Sequence, residues 1–293
     1  MRVAITGATG FIGRALTAAL TERGDSVVAF TRPGGAAPAR DAAIQALPWP
    51  PGPGEFPAVD AVVHLAGESV AGRWTDAKKQ AIRASRVEGA RQLLAAMARA
   101  TRRPSALVSA SAVGYYGDRG EESLSESAPP GADFLAEVCR AWEAEAERAE
   151  EIGLRVCCIR TGIVLGHGGA LQQMLPPFRM GLGGPMGSGR QWFPWVQLDD
   201  IVALYLHALD TDVSGPINGV GPTPIRQGDF ARALGAALHR PAILPTPKLA
   251  LRLLYGEFAD TLFCSQKVIP EKAIRTGFRF RFHDAAAALA ASL

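Results

Sequence analysis

Apolar and polar positions divide the chain into short apolar runs separated by longer stripes at helical spacing. Val3-Ala4-Ile5, Ser26–Phe30, Asp60–Leu65, Ala106–Ser111 and Leu154–Arg160 read as strands of the kind a parallel sheet buries on both faces. Ala15 to Arg23, Thr75 to about Ala100, Asp133 to Glu150 and Ile201 to Leu209 read as helices, with Gly24 placed to end the first and Thr75 to cap the second. The Thr75 helix shows its stripe at Ile82, Ala90, Leu93, Leu94 and Met97. Strands that alternate with helices predict an α/β fold built on a doubly wound parallel sheet.

Other stretches carry weaker patterns. Pro33 to Pro57 is rich in Pro, Gly and Ala, with one weak strand near Ala43–Leu47. Gly168 to Gly189 reads as an irregular, glycine-rich loop over a site. After Pro241 the pattern changes to a proline-bounded helix in PAILPTPKLALRLLYGEF, then an alternating strand and a final helix in GFRFRFHDAAAALAASL. The expected division is a sheet domain over 1–165 and about 196–215, with a smaller C-terminal lobe over 166–195 and 216–293, to which the family resemblance given below assigns the substrate.

The first strand runs into Gly7-Ala8-Thr9-Gly10-Phe11-Ile12-Gly13, and a helical pattern opens straight afterwards. A buried strand, a tight turn and a helix make a phosphate-binding device, because bare N–H groups and the positive dipole end converge on an anion. Gly7 permits the turn, Gly10 lets backbone approach a pyrophosphate, and Gly13 lets the helix pack close to the strand. The second strand ends in Thr31-Arg32, where a carboxylate would be needed to hold a ribose 2′-hydroxyl. An arginine there pairs instead with a 2′-phosphate, so NADP(H) is expected over NAD(H).

Several residues near the expected ligand edge are candidates. His64 lies inside its strand and reads as a core histidine. The Ala66-Gly67 turn would bring backbone beside the cofactor, with Glu68 following at the carboxyl end of the strand. Arg86 interrupts the stripe of its helix, so it needs either an ion-pair partner or a ligand. The strand ending at Ser111 carries hydroxyls to the same edge, and the turn after it holds Tyr115 and Tyr116.

Composition narrows the possible partners. With 31 basic and 28 acidic residues the net charge is +3, too mild and too evenly spread for nucleic acid as main partner. No apolar run reaches a membrane span and no signal peptide precedes the first strand, so a cytoplasmic protein is expected. Cys139, Cys157, Cys158 and Cys264 lack metal spacing, and no metal site is expected.

ITGATGFIG, VVHLAG, LVSASAVGYYG, IRTGIVLG and WVQLDDIV, in that order, resemble the extended short-chain dehydrogenase/reductase superfamily over about the first 220 residues. AGESVAGRW, FLAEVCRAWE and the tail PKLALRLLYGEF…VIPEKAIRTGFRFRF are similar to its atypical "epimerase family" subgroup, putative epimerases and dehydratases with a small C-terminal domain of unknown function of the DUF1731 type, here about 245–292. The resemblance implies a Rossmann-like sheet that binds NADP(H). Gly7, Thr9, Gly10, Phe11, Ile12 and Gly13 would hold the pyrophosphate and Arg32 the 2′-phosphate. His64, Leu65, Ala66 and Gly67 would line the adenosine and ribose, and Ser109, Ala110, Thr161, Gly162 and Ile163 would lie near the nicotinamide. A homodimer through the two long helices is a further expectation of the resemblance.

One departure is chemical. Active members carry Tyr-x-x-x-Lys on the second long helix, the tyrosine exchanging a proton with the substrate. Aligned on Glu143, Leu135 takes the tyrosine position and Cys139 the lysine position; a shift by one gives Phe134 and Val138. The superfamily serine survives as Ser111, and Arg86 stands where members often have asparagine. Ser111, Tyr115, Tyr116, Glu68 and Arg86 are therefore the catalytic candidates, with Asp133, Glu137 and Cys139 as further acids. Trp192 and Trp195 are open to a substrate pocket or to packing, and Asp200 to capping the helix that follows. Two readings stand side by side. One is an NADP(H)-dependent oxidoreductase or epimerase-like enzyme acting on a small carbonyl or sugar-nucleotide-like substrate. The other is a catalytically silent NADP(H)-binding sensor.

Overall fold

The computed structural model describes residues 1–32, 34, 41–52 and 54–293. In chain order its strands are β1 (Arg2–Thr6), β2 (Ser26–Thr31), β3 (Ile44–Pro48), β4 (Ala61–His64), β5 (Ala106–Ala112), β6 (Ser123–Leu124), β7 (Arg155–Thr161), β8 (Ile163–Leu165), β9 (Trp192–Phe193), β10 (Trp195–Gln197), β11 (Gly215–Gly219), β12 (Ile225–Arg226) and β13 (Lys267–Val268). The helices are α1 (Phe11–Glu22), α2 (Asp76–Ala98), α3 (Phe134–Glu147), α4 (Gly169–Arg179), α5 (Leu198–Asp210), α6 (Gln227–Ala237), α7 (Lys248–Tyr255), α8 (Phe258–Thr261), α9 (Glu271–Arg275) and α10 (Ala285–Ala290).

Seven strands form one parallel sheet in the order β11-β7-β5-β4-β1-β2-β3. The order reverses between β1 and β4, and at such a switch point a crevice opens beyond the carboxyl ends of the strands. One face packs on α1 and α5, where Leu16, Leu20, Ile201 and Leu204 meet Val3 and Ile5. The other packs on α2 and α3, where Leu93, Met97 and Ala146 meet Ala4, Val28, Val62 and Leu107. Burial on both faces explains why these strands are runs of apolar residues instead of alternating ones. A third core joins α4, α6 and α10 through Leu171, Leu175, Phe178, Phe230, Leu234 and Leu289.

The weak strand expected near Ala43–Leu47 is β3, paired with β2 from Val27↔Ile44 to Thr31↔Pro48. Other expectations change. α1 opens at Phe11, inside the glycine motif, because Gly10 already holds extended backbone at the N-cap. The stretch read as irregular after Gly168 contains α4. Leu171, Leu175 and Phe178 bury one helical face there, which offsets the N–H bonds that Pro176 and Pro177 remove from the last turns. The alternating FRFRF segment forms no strand. Phe278, Phe280 and Phe282 do point inward, yet the Arg281 and Phe282 amides donate to the Asp200 carboxylate at 2.8 and 3.1 Å instead of to a neighbouring strand. Asp200 therefore clamps the C-terminal tail. The cap of α5 is Gln197, whose side chain accepts from the Asp199 amide.

The C-terminal region is tied to the sheet domain at the loop after β5. There β13 pairs with β6, and the Gln266 amide donates to the Val113 and Gly117 carbonyls at 3.0 Å each.

Candidate dinucleotide site and adjoining cleft

The glycine turn lies at the switch point. Gly7 has φ +75°, and a Cβ there would stand 2.9 Å from the Ala66 nitrogen, so both conformation and space demand glycine. A Cβ on Gly13 would stand 2.1 Å from the Gly7 carbonyl oxygen. Gly13 therefore lets α1 pack on the turn itself, a closer approach than helix against strand. The Gly10 amide closes the turn onto the Gly7 carbonyl at 2.9 Å, and Arg14 Nε pins the Thr9 carbonyl at 2.7 Å. α1 has no side-chain cap and no acid in its first turn. Its opening N–H groups and positive dipole end are thus left for an anion.

The ends of β1 and β4 are locked together. The Thr6 hydroxyl accepts from the Ala66 amide at 3.3 Å and meets His64 Nδ1 at 2.6 Å. That hydrogen bond fixes the imidazole against the end of β1. His64 is 1% exposed, and burial with the nearby Arg86 charge lowers its pKa to about 4. It is a neutral core histidine that aims the Leu65-Ala66-Gly67 turn. Leu65 and Ala66 are half-buried and Gly67 is exposed; Arg32 is exposed just past the end of β2.

Phe11 reveals an arrangement that its place in the motif did not suggest. A Cβ on Gly166, Gly168 or Gly169 would stand within 3.0 Å of its ring. The segment leading into α4 therefore folds directly over the phosphate turn. The repeated glycines of GIVLGHGG were the signal for this close approach.

Glu68 and Arg86 flank the Gly67 turn. Lys78 Nζ lies 2.6 Å from Glu68 Oε1 and holds that carboxyl below its ordinary range, with smaller contributions from Arg32 and Arg86. An ionised, paired carboxylate is not a proton donor, which removes Glu68 as a general acid. Arg86 has no carboxylate at ion-pair distance among the described residues, so the ion pair considered for it is not formed. Its Nη1 donates to the Glu68 and Ile82 carbonyls at 2.9 and 3.2 Å, and its guanidinium stacks on Trp142. A Cβ on Gly67 would stand 3.2 Å from its Cζ, placing the cation directly beneath the turn.

The register aligned on Glu143 places Leu135 and Cys139 on one side of α3. A Cβ on Gly114 would lie 3.2 Å from Leu135 Cβ and 3.9 Å from Cys139 Sγ. Burial pushes the Cys139 thiol up to about 12, which leaves no thiolate. Asp133 caps α3 by accepting from the Ala136 amide at 2.9 Å.

Two of the catalytic candidates, Ser111 and Tyr116, are engaged in one buried hydrogen-bond chain. Ser111, 3% exposed, donates to Glu143 Oε1 at 2.5 Å. Glu143 in turn holds Arg160 through two bonds at 2.9 and 2.8 Å. Arg160 Nη1 donates to the Tyr116 oxygen at 3.0 Å, and that hydroxyl donates to Asn218 Oδ1 at 2.6 Å. Tyr116 is fully buried, and burial raises it to about 12. Sequence reasoning missed this Ser111–Glu143–Arg160–Tyr116–Asn218 chain; the arginine after the apolar run VCCI was its one trace. Tyr115 differs from Tyr116: it is half-buried, with its ring 3.4 Å from the Arg160 guanidinium carbon.

The remaining positions divide by burial. Ser109 is buried, while Ala110, Thr161, Gly162 and Ile163 are half-buried at the carboxyl ends of β5 and β7. Gly162 is pressed between chains, since a Cβ there would lie 2.3 Å from the Pro194 oxygen. Trp195 is core, 1% exposed, with its indole donating to the Thr223 carbonyl. Trp192 is sandwiched at the surface between Arg226 and Lys267. Trp195 pairs in register with Ile163 where β10 meets β8, and both tryptophans line a small cavity with Val220, Pro224 and Val268.

Comparison with known proteins agrees with this geometry. The profile of the NAD dependent epimerase/dehydratase family matches residues 3–220, and that of a domain of unknown function, DUF1731, matches residues 246–292. An epimerase family protein of Mycobacterium bovis is 42% identical, over 98% of this chain and 96% of its own. The chloroplastic SDR39U1 homolog of Arabidopsis thaliana is 41% identical, over 96% of this chain and 84% of its own. The crystal structure of the human epimerase family protein SDR39U1 with NADPH superposes with a TM-score of 0.91 at 36% identity, covering 100% of this chain and 99% of that one.

Proposed function

The chain belongs to the NAD-dependent epimerase/dehydratase family, and on that premise we propose that it is an NADP(H)-dependent oxidoreductase that works without the tyrosine–lysine pair. The observation that carries this reading is the uncapped, acid-free N-terminus of α1, set by Gly7 and Gly13 at the switch point with Arg32 at the end of β2. The human relative crystallised with NADPH supports it. When bound, the nicotinamide supplies hydride to a carbonyl carbon or accepts it from a carbinol carbon.

The chain's own residues do the rest. The backbone of Gly7, Thr9, Gly10, Phe11, Ile12 and Gly13 would hold the pyrophosphate, and Arg32 the 2′-phosphate. Leu65, Ala66 and Gly67, aimed by Thr6 and His64, would border the adenosine ribose, with the Arg86 charge beneath them. Ala110, Thr161 and Ile163 would flank the nicotinamide, and Ser109 and Gly162 would support them from behind. Reducing a carbonyl also requires one proton on the oxygen. Ser111, Tyr116, Glu68, Asp133 and Cys139 are committed elsewhere and Glu137 is exposed on α3, so the half-buried Tyr115 phenol is assigned as donor, restored from water. Leu135 and Cys139 in place of tyrosine and lysine favour the second reading, a silent NADP(H) sensor on the same site.

Arg32→Asp tests the cofactor assignment. Calorimetry should show NADPH affinity falling at least tenfold while NADH affinity changes little. Equal loss for both would remove the 2′-phosphate role.

A further inference from the structure

We propose that the substrate of this oxidoreductase is a planar, largely apolar carbonyl compound gripped by an aromatic clamp of Trp74, Phe134 and Phe258. The proposal rests on the oxidoreductase reading above and narrows its substrate class. Three remote segments supply the clamp: the loop after β4, the first residue of α3, and α8. Trp74 and Phe134 meet edge to face with centroids 5.1 Å apart, Trp74 and Phe258 stand at 5.7 Å, and Tyr255 extends the row from Phe258 at 6.1 Å.

Each of these rings is half-buried, unlike the sealed core aromatics Tyr116, Trp195 and Phe230, so each keeps some surface for a ligand. The clamp is also held in place. Trp74 Nε1 donates to the Val70 carbonyl at 2.8 Å, Arg73 Nη1 donates to the Leu253 carbonyl at 3.0 Å, and Lys79 pairs with Glu257. Its location fits the chemistry, because Phe134 immediately precedes Leu135, which packs on Gly114 where the family's tyrosine would stand.

Polar side chains beside the rings are already engaged: Asp133 with the Ala136 amide, and Lys79 with Glu257 while its ammonium lies 6.0 and 5.6 Å over the Trp74 and Phe134 rings. A polyhydroxylated ring needs unengaged donors and acceptors, whereas a flat π system needs ring faces and edges. The clamp offers the second kind of surface.

Saturation-transfer NMR on the full chain loaded with NADP⁺ tests this with acetophenone and UDP-glucose as probes. Acetophenone should bind and UDP-glucose should not compete with it. Trp74→Ala and Phe134→Leu should each weaken acetophenone at least tenfold, and Trp74→Phe should retain it, with NADP⁺ affinity within twofold throughout. Competition by UDP-glucose, an absent acetophenone signal, or equal affinity in all variants would each overturn the clamp. NADP⁺ is titrated separately on the same samples. Acetophenone binding without any NADP⁺ binding would overturn the oxidoreductase reading and leave the aromatic site standing.

Discussion

The Glu143–Arg160 pair shows how single residues set the roles of their neighbours. Both side chains are almost fully buried, and their charges are matched by a two-point contact that also consumes the Ser111 and Tyr116 hydroxyls. Removing one partner strands the other in a low-dielectric interior. Glu143→Ala should therefore cost about 3–5 kcal/mol in chemical denaturation. A change under about 1 kcal/mol would mean that the pair is solvated and the network loose. His64 supplies a pH signature. Its folded pKa near 4 lies below the ordinary 6.5, so between these values the unfolded chain binds the proton first. Its contribution is complete above pH 6.5 and fades as pH falls toward 4, by about 3 kcal/mol in total. His64→Asn should flatten the stability curve in that window relative to the parent; parallel curves would contradict the neutral, buried imidazole. His64 was legible as a core histidine from its place inside an apolar strand, whereas the role of Arg160 was not, since its partners lie 17 to 44 positions away in sequence.

At the scale of elements, apolar runs and helical stripes located the main strands and helices because burial on both faces leaves that signature. Patterns failed where tertiary contacts overrode local chemistry. Glycines and prolines around α4 hid a helix whose stability comes from Leu171, Leu175 and Phe178. Alternation in FRFRF matched a strand, yet its amides are satisfied by one carboxylate from α5. Asp200→Ala should strand those amides and cost about 1–3 kcal/mol. Limited proteolysis should then cut faster between Gly277 and Asp284. An unchanged cleavage pattern would show that the tail docks by apolar packing alone.

Across the whole molecule, the sheet order, the glycine turn and the C-terminal region converge on one crevice, and its cofactor side was the more legible part. Gly7, Gly10 and Gly13 sit in a contiguous motif whose spacing follows from backbone geometry. The substrate side is assembled from Trp74, Phe134 and Phe258, which no local pattern links. Family membership is shown by the profile match over residues 3–220, while the reaction and the part played by positions 135 and 139 rest on the proposal above. The most direct test of the central claim is a calorimetric titration of the full chain with NADPH and with NADH. One site per chain, at least tenfold tighter for NADPH, is the predicted result. Absence of heat with both nucleotides at millimolar concentration, or equal affinity for the two, would contradict the account.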